Sequence, residues 1–173
     1  GGAARAMLRL QKGLVDIGLD SRVLVAKKRS SNPDVEEWTG DMRPLVRARR
    51  RIREEWLNWV EGRIEKKRPD GFDFFSDDRS RFGSQLLPSL EKANVVNLHW
   101  VARFVDVSKL FPRLNLPLVW TLHDQHSFTG GCHYDFGCER WREGCGRCPQ
   151  IGSSRSPDFS SKAWSRKKDA YSR

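Results

Sequence analysis

Two histidines in the sequence end short apolar segments that have the character of buried strands. His99 ends the run 95–99, and His123 ends the run 118–123, with Asp124 directly after it. In parallel α/β sheets, ligands bind outside the carboxyl ends of the strands, because loops and helix N-termini converge there. We therefore predict that these three residues lie at a ligand site. His123 could equally be a core histidine that donates to a backbone carbonyl.

The densest group of reactive side chains is the segment 130–150, which holds all four cysteines of the chain. In order, and separated by five, six and two residues, these are Cys132, Cys138, Cys145 and Cys148. A gap of two residues is the knuckle spacing at which two thiolates can meet one tetrahedral metal ion. The segment therefore predicts a structural zinc site with four ligands, in which His126 or His133 could replace a cysteine. The alternatives are free thiols that pack as small apolar groups, or a redox pair.

The chain opens with a glycine pair in front of a helical segment. Gly1 and Gly2 precede Ala3 and the amphipathic run that follows. Bare backbone N–H groups and the helix dipole at such a start can hold a phosphate. A tight turn without a ligand is an equal alternative, because a glycine pair alone is weak support for an anion site.

Residues 43–68 combine a strongly basic composition with apolar side chains at helical intervals. Ten Arg or Lys residues stand against four Glu, which gives this segment a net charge of +6. The pattern predicts an amphipathic helix that could lie on an anionic membrane surface. Its membrane-facing candidates are Arg49, Arg50, Arg51, Arg53, Trp56 and Trp59. The alternative is a surface helix that docks on its own domain through the tryptophans.

The elements that must position these residues alternate between helix and strand. Apolar side chains at spacings of three and four predict helices, and short Val- and Leu-rich runs predict buried strands. The predicted helices are 3–18, 43–68, 86–90 and 105–114, and the predicted strands are 22–26, 95–99 and 118–123. We expect a loop at 30–40, and at 72–82 a loop that could contain a short strand. Strands separated by helical segments predict one parallel sheet in an α/β domain.

Composition and length restrict the kinds of protein that this chain could be. A chain of 173 residues has room for one domain, and its net charge of +10 favours anionic partners. No apolar run approaches the ~20 residues that a membrane-spanning helix needs. Because all four cysteines fall between 132 and 148, disulfides would close only small loops, and a reducing, cytosolic setting fits better.

Several sequence blocks carry a family resemblance. They are residues 1–18 (GGAARAMLRLQKGLVDIG), 98–100 (LHW), 117–124 (PLVWTLHD), 128–134 (FTGGCHY) and 145–150 (CGRCPQ). Together these blocks resemble the N-terminal half of bacterial family 4 glycosyltransferases, and most closely the colanic-acid and exopolysaccharide type. The resemblance runs in order along nearly the whole chain and is weakest from 30 to 90.

The resemblance implies a GT-B enzyme, in which two Rossmann-like domains with parallel sheets flanked by helices face each other across a cleft. Such an enzyme transfers a sugar, with retention, from a nucleotide-sugar donor to a polysaccharide or lipid-linked acceptor. It implies that Gly1, Gly2 and Ala3 face the donor diphosphate and the acceptor. His123 would lie near the transferred sugar, where it could bind a hydroxyl or support charge at the reacting carbon. Asp124 and His99 are secondary candidates.

The same resemblance implies what a complete enzyme would add. Residues 1–173 correspond to one N-terminal, acceptor-side domain with a Cys-rich lobe at 130–150. Neither the family's first strand nor its C-terminal donor domain corresponds to any part of this sequence, so we expect the chain alone to be inactive. No catalytic metal is implied, which leaves any zinc structural. The expected location is cytoplasmic, with peripheral contact at the inner face of the cytoplasmic membrane.

Two non-enzymatic hypotheses are alternatives to the glycosyltransferase. The cysteine knuckle, the seven tryptophans and the net charge of +10 would suit a zinc-stabilised nucleic-acid-binding domain. Against it, the basic charge is concentrated in 43–68, while acidic residues balance basic ones around the cysteines. We therefore expect no nucleic-acid partner. The other hypothesis is a zinc-stabilised scaffold that binds sugar without turnover.

Overall fold

A computed structural model describes residues 1–172 as a mixture of helices and short strands. The α-helices are α1 (Gly2–Asp16), α2 (Pro44–Glu65), α3 (Leu87–Leu90), α4 (Val107–Leu110) and α5 (Phe159–Tyr171). The strands are β1 (Val23–Val25), β2 (Val35–Glu37), β3 (Val96–His99) and β4 (Leu118–Thr121). This content is compatible with the predicted α/β class. Within residues 1–172, every helix is too short or too polar to cross a lipid bilayer.

The strands form two separate parallel pairs instead of the single sheet that we predicted. β1 pairs with β2, with Val23 opposite Val35, and β3 pairs with β4. The predicted loop at 30–40 is therefore wrong at β2. Val35 is the only apolar residue of that strand, and two glutamates follow it, so no alternating pattern marks it. Its burial against β1 comes from tertiary pairing.

The two long predicted helices are present with nearly the predicted bounds. α1 ends before Gly18, which adopts a φ of +87°, a left-handed conformation that favours glycine. Its one buried side chain is Gln11, which donates to the carbonyl of Ser21 and to Asp34. α2 begins at Pro44, whose fixed φ suits the first turn of a helix. Leu57 is the buried residue of α2.

The core lies between β3 and the segments that flank it. Its buried members are Trp38, Phe82, Leu86, Val96, Leu98, Val105 and Leu110. Trp38 packs edge-to-face on Phe82 with ring centroids 4.7 Å apart, and its indole N–H donates to Ser89 Oγ at 2.9 Å. Val96 and Leu98, which form the buried side of β3, belong to this core. The core therefore holds the strand that carries His99.

The predicted helix at 105–114 is shorter than expected. α4 is followed by a 3-10 turn at Phe111–Arg113. Pro112 has no amide hydrogen to donate, which breaks the α-helical hydrogen-bond ladder. Asp106 is fully buried; its carboxylate caps α4 through the amide of Lys109 and pairs with Arg53 at 2.7 Å.

The carboxyl-terminal helix α5 was not predicted, because the Ser, Lys and Arg bias of that segment masks it. Asp158 accepts from the amide of Ser161, whose hydroxyl lies against the Asp158 backbone in return, and this capping box begins the helix. The buried face of α5 is formed by Ser160, Ala163, Lys167 and Ala170. Only two of these side chains are apolar, so the helix shows no hydrophobic stripe in the sequence.

Candidate functional site

β3 and β4 bring His99 and His123 together at their carboxyl ends. His99 lies opposite Thr121 in the parallel register, so His123 follows two residues further along the neighbouring strand. His99 Nδ1 and His123 Nε2 are 2.9 Å apart. Such a bond uses one shared proton, so two fully charged rings cannot make it. Burial, and then repulsion from His123, lowers the pKa of His99, which favours a neutral ring at this end of the pair.

A second set of side chains forms a chain of hydrogen bonds directly after β4. Asp124 Oδ2 accepts from His133 Nδ1 at 2.7 Å, and His133 Nε2 lies 3.0 Å from Ser76 Oγ. This is an acid–imidazole–hydroxyl relay, in which the carboxylate fixes the tautomer and orientation of the ring. Burial opposes ionisation of Asp124, but hydrogen bonds from His133 and from the amide of His126 outweigh it and lower its pKa.

His126 and Lys167 hold the loop that carries this relay. The His126 ring stacks on His133 with centroids 4.8 Å apart, and its Nε2 lies 3.2 Å from the carbonyl oxygen of Ser76. Burial, followed by the charge of Lys167, lowers the pKa of His126 well below its usual range. The Lys167 ammonium is 1% exposed and donates to the carbonyls of His126 and Thr129. Burial lowers the pKa of Lys167 to about 8.

The backbone beyond β3 is strained next to the histidines. Trp100 adopts a φ of +43° and Arg103 a φ of +63°, which is uncommon for residues other than glycine. Trp100 is 50% exposed, and its ring lies 5.7 Å from that of His133. Such strain costs on the order of 1–3 kcal/mol per residue and concentrates at functional sites.

The predicted phosphate-binding glycines lie at the exposed start of α1. Gly1 and Gly2 are exposed at the start of α1, Ala3 is partly buried, and a Cβ added to either glycine would meet nothing within 4 Å. In the chain as described, no hydrogen bond joins these residues to the histidine pair. A cleft of about 310 Å³ lies between α2, Phe75 and Arg103, and neither His99 nor His123 lines it.

The four predicted zinc ligands share the wall of one small cavity of about 20 Å³. Burial raises the pKa of Cys132 to about 11 and that of Cys145 to about 12, and it also raises the pKa of Cys148. Within residues 1–172, no three His, Cys, Asp or Glu side chains stand in positions that would hold a metal ion as they are. His126 and His133, the predicted substitutes, are engaged by Ser76 and Asp124.

The predicted membrane-facing side chains of α2 divide into two groups. Arg49, Arg51, Trp56 and Trp59 are exposed. Arg50 donates to the carbonyls of Thr39 and Asp41, and Arg53 pairs with buried Asp106. These two arginines therefore bind the protein itself.

Sequence reasoning missed Ser76 and the structural use of Lys167, and it assigned His133 and His126 to zinc instead of to the relay. Ser76 and His133 are 57 residues apart, so no local spacing could pair them. The one available signal was the position of both histidines within ten residues of His123.

Comparison with known proteins gives one partial match. Over 58 residues the chain is 43% identical to a protein of Escherichia coli (strain K12) whose provisional name is colanic acid biosynthesis glycosyl transferase WcaC. The match covers 34% of this chain and spans only 14% of the E. coli protein. No protein-family model matches the chain, and no solved structure matches it significantly. The match indicates a glycosyltransferase relationship.

Proposed function

We propose that the chain is part of a glycosyltransferase that moves a sugar from a nucleotide-sugar donor to a polysaccharide or lipid-linked acceptor. The observation that carries the proposal is the His99–His123 pair at the carboxyl ends of two parallel strands, in a chain with partial similarity to a glycosyl transferase. The finer form of the proposal is a retaining, hexose-transferring GT-B enzyme of colanic-acid or exopolysaccharide synthesis. In it, this chain contributes the Rossmann-like, acceptor-side half.

The chemistry of sugar transfer suits the properties of the pair. Positive charge develops at the anomeric carbon while the nucleotide diphosphate leaves, so the pair can assist by hydrogen bonds that hold the sugar hydroxyls in place. The bond between His99 Nδ1 and His123 Nε2 fixes which nitrogen of His123 remains free for a sugar hydroxyl. His123 is the proposed catalytic residue and His99 positions it. Gly1 and Gly2 remain candidates for the donor diphosphate through their backbone amides.

The test is nucleotide release from nucleotide sugars by the protein that carries these residues, in the longest form that its reading frame encodes. We expect His123→Ala to lower kcat/KM by about 10²–10³-fold, as removal of a preorganised hydrogen-bond partner does. Asn97→Ala is the matched control, because Asn97 lies in β3 on its exposed side. Turnover by the wild type that His123→Ala leaves unchanged would refute the catalytic assignment, and a lack of both turnover and nucleotide-sugar binding would refute the transferase.

The exposed side of α2 supports a membrane-surface role for this enzyme. Leu45, Ile52, Trp56 and Trp59 are between 43% and 77% exposed, and their spacing of seven, four and three residues places them on one side of the helix. Arginines interleave with this apolar stripe, as in helices that lie at the interface of an anionic bilayer. We propose that this side contacts the anionic lipid surface on which a lipid-linked acceptor is presented.

Co-sedimentation with vesicles of phosphatidylglycerol and phosphatidylcholine tests this contact. Arg49→Gln combined with Arg51→Gln should weaken binding about 30-fold, from about 1 kcal/mol for each basic residue. The control is Arg5→Gln combined with Arg9→Gln, which removes the same charge from exposed positions of α1. Equal losses in both double variants, or no binding by the wild type, would refute the α2 surface and leave the transferase proposal untouched.

A further inference from the structure

The four cysteines lie in one short segment of the sequence and share one cavity. Cys132, Cys138, Cys145 and Cys148 all line a space of about 20 Å³. A space of ~10–15 Å³ is enough for a single water molecule, so this one has room for one ion and little else. None of the four is paired in a disulfide, and two of them are buried.

The loop between Cys145 and Cys148 curls so that both thiols reach the same cavity. Cys145, Gly146 and Arg147 have φ values of +60°, +92° and +44° in succession. The backbone is strained at Cys145 and Arg147, and such strain persists only where the surrounding structure holds the backbone in place. The amide of Gly146 donates to Ser160 Oγ, and that of Cys148 to Asp158, so the start of α5 holds the loop in place.

We infer that Cys132, Cys138, Cys145 and Cys148 bind one structural zinc ion, a site that goes beyond the proposed sugar transfer. Four sulfur donors in a tetrahedral set suit zinc, and four protein ligands leave no open position for a substrate. Since no three thiols stand at ligand positions in the described residues, binding requires the cysteine side chains to turn about their Cα–Cβ bonds into the shared cavity. The ion would then join the segment before Trp141 to the segment that leads into α5.

Metal content and thiol reactivity test the site on the whole chain. The wild type, prepared with zinc and passed through a desalting column, should hold about one zinc ion per chain. Its four thiols should react with a disulfide reagent only after a chelator removes the metal. Cys145→Ser and Cys148→Ser should each weaken zinc binding by more than about 10-fold. Ser154→Ala is the control, because Ser154 is exposed between Cys148 and α5 and the variant retains every thiol, and it should keep its zinc.

Cobalt substitution keeps the test decisive if the serine variants fail to fold. Wild-type protein titrated with Co²⁺ should develop the intense visible absorption of a tetrahedral ion and the near-ultraviolet band of sulfur-to-cobalt charge transfer. Zinc should displace both signals. A weak octahedral spectrum, four freely reactive thiols in zinc-treated protein, or disulfides under reducing conditions would each overturn the inference.

Discussion

Replacing Asp124 with asparagine tests whether charge holds the relay beside the histidine pair. The Asp124 side chain is 12% exposed, and it accepts from His133 Nδ1 at 2.7 Å and from the amide of His126 at 2.9 Å. An asparagine of the same shape has one acceptor oxygen in place of two. Its NH2 group would face the Nδ1 proton, so His133 must either lose the bond or change its tautomer.

The expected loss of stability follows from the type of hydrogen bond that is removed. Hydrogen bonds to charged groups contribute about 1.5–3 kcal/mol to stability, so Asp124→Asn should lower the free energy of unfolding by that amount. For a chain of this size the melting temperature should fall by roughly 3–12 °C. Because the folded pKa of Asp124 is lowered, this contribution is fully present above the unfolded pKa of 3.8 and is lost as the pH falls through the folded pKa.

The assay is urea denaturation at about pH 7.5, where the carboxylate contributes in full. Asp70→Asn serves as the control, because Asp70 is exposed and its substitution should stay within about 0.5 kcal/mol. A double-mutant cycle with His133→Gln should show a coupling of at least about 1 kcal/mol. A cost for Asp124→Asn equal to that of the control, or strict additivity with His133→Gln, would refute the relay.

Three further predictions concern the structure around the site. Leu110→Ala, at a fully buried core position, should destabilise the fold by about 2–5 kcal/mol in urea denaturation. Gly130→Ala should lower the free energy of unfolding by on the order of 1–3 kcal/mol, because its Cβ would lie 2.3 Å from the carbonyl oxygen of Ser160. Gly13→Ala, in the open face of α1, should instead stabilise the helix by about 1 kcal/mol. Native His126 resists protonation while the unfolded ring takes a proton near pH 6.5, so stability should fall below that pH by up to about 1.4 kcal/mol per pH unit. His126→Gln should flatten that slope, and an unchanged slope would contradict the assigned cause.

The histidine pair could be predicted because its supporting strands have a strong local pattern. β3 and β4 are runs of Val and Leu long enough to be recognised, and both run in the same direction, so their ends and the histidines coincide. The partition into two sheets could not be predicted, since strand pairing depends on contacts across the fold. β2 shows this most clearly, because a single buried Val35 carries it.

Neither the relay nor α5 could be predicted from the sequence, and the physical reasons differ. Ser76 belongs to an aromatic and acidic stretch without a period, and it meets His133 only through the folded path of the chain. α5 buries a lysine and a serine together with two alanines, so its inward face does not look hydrophobic. A buried lysine is recognisable only once its acceptor carbonyls are known.

The burial of Lys167 makes α5 a tether for the residues around the histidines. Its ammonium donates to the carbonyls of His126 and Thr129, so moving α5 away would free that loop and leave a charge without its acceptors in one step. Unwinding of α5 and disorder of the relay should therefore occur as a single cooperative event. A cleavage within α5 would change the surroundings of the His126 and His133 rings, although it touches neither.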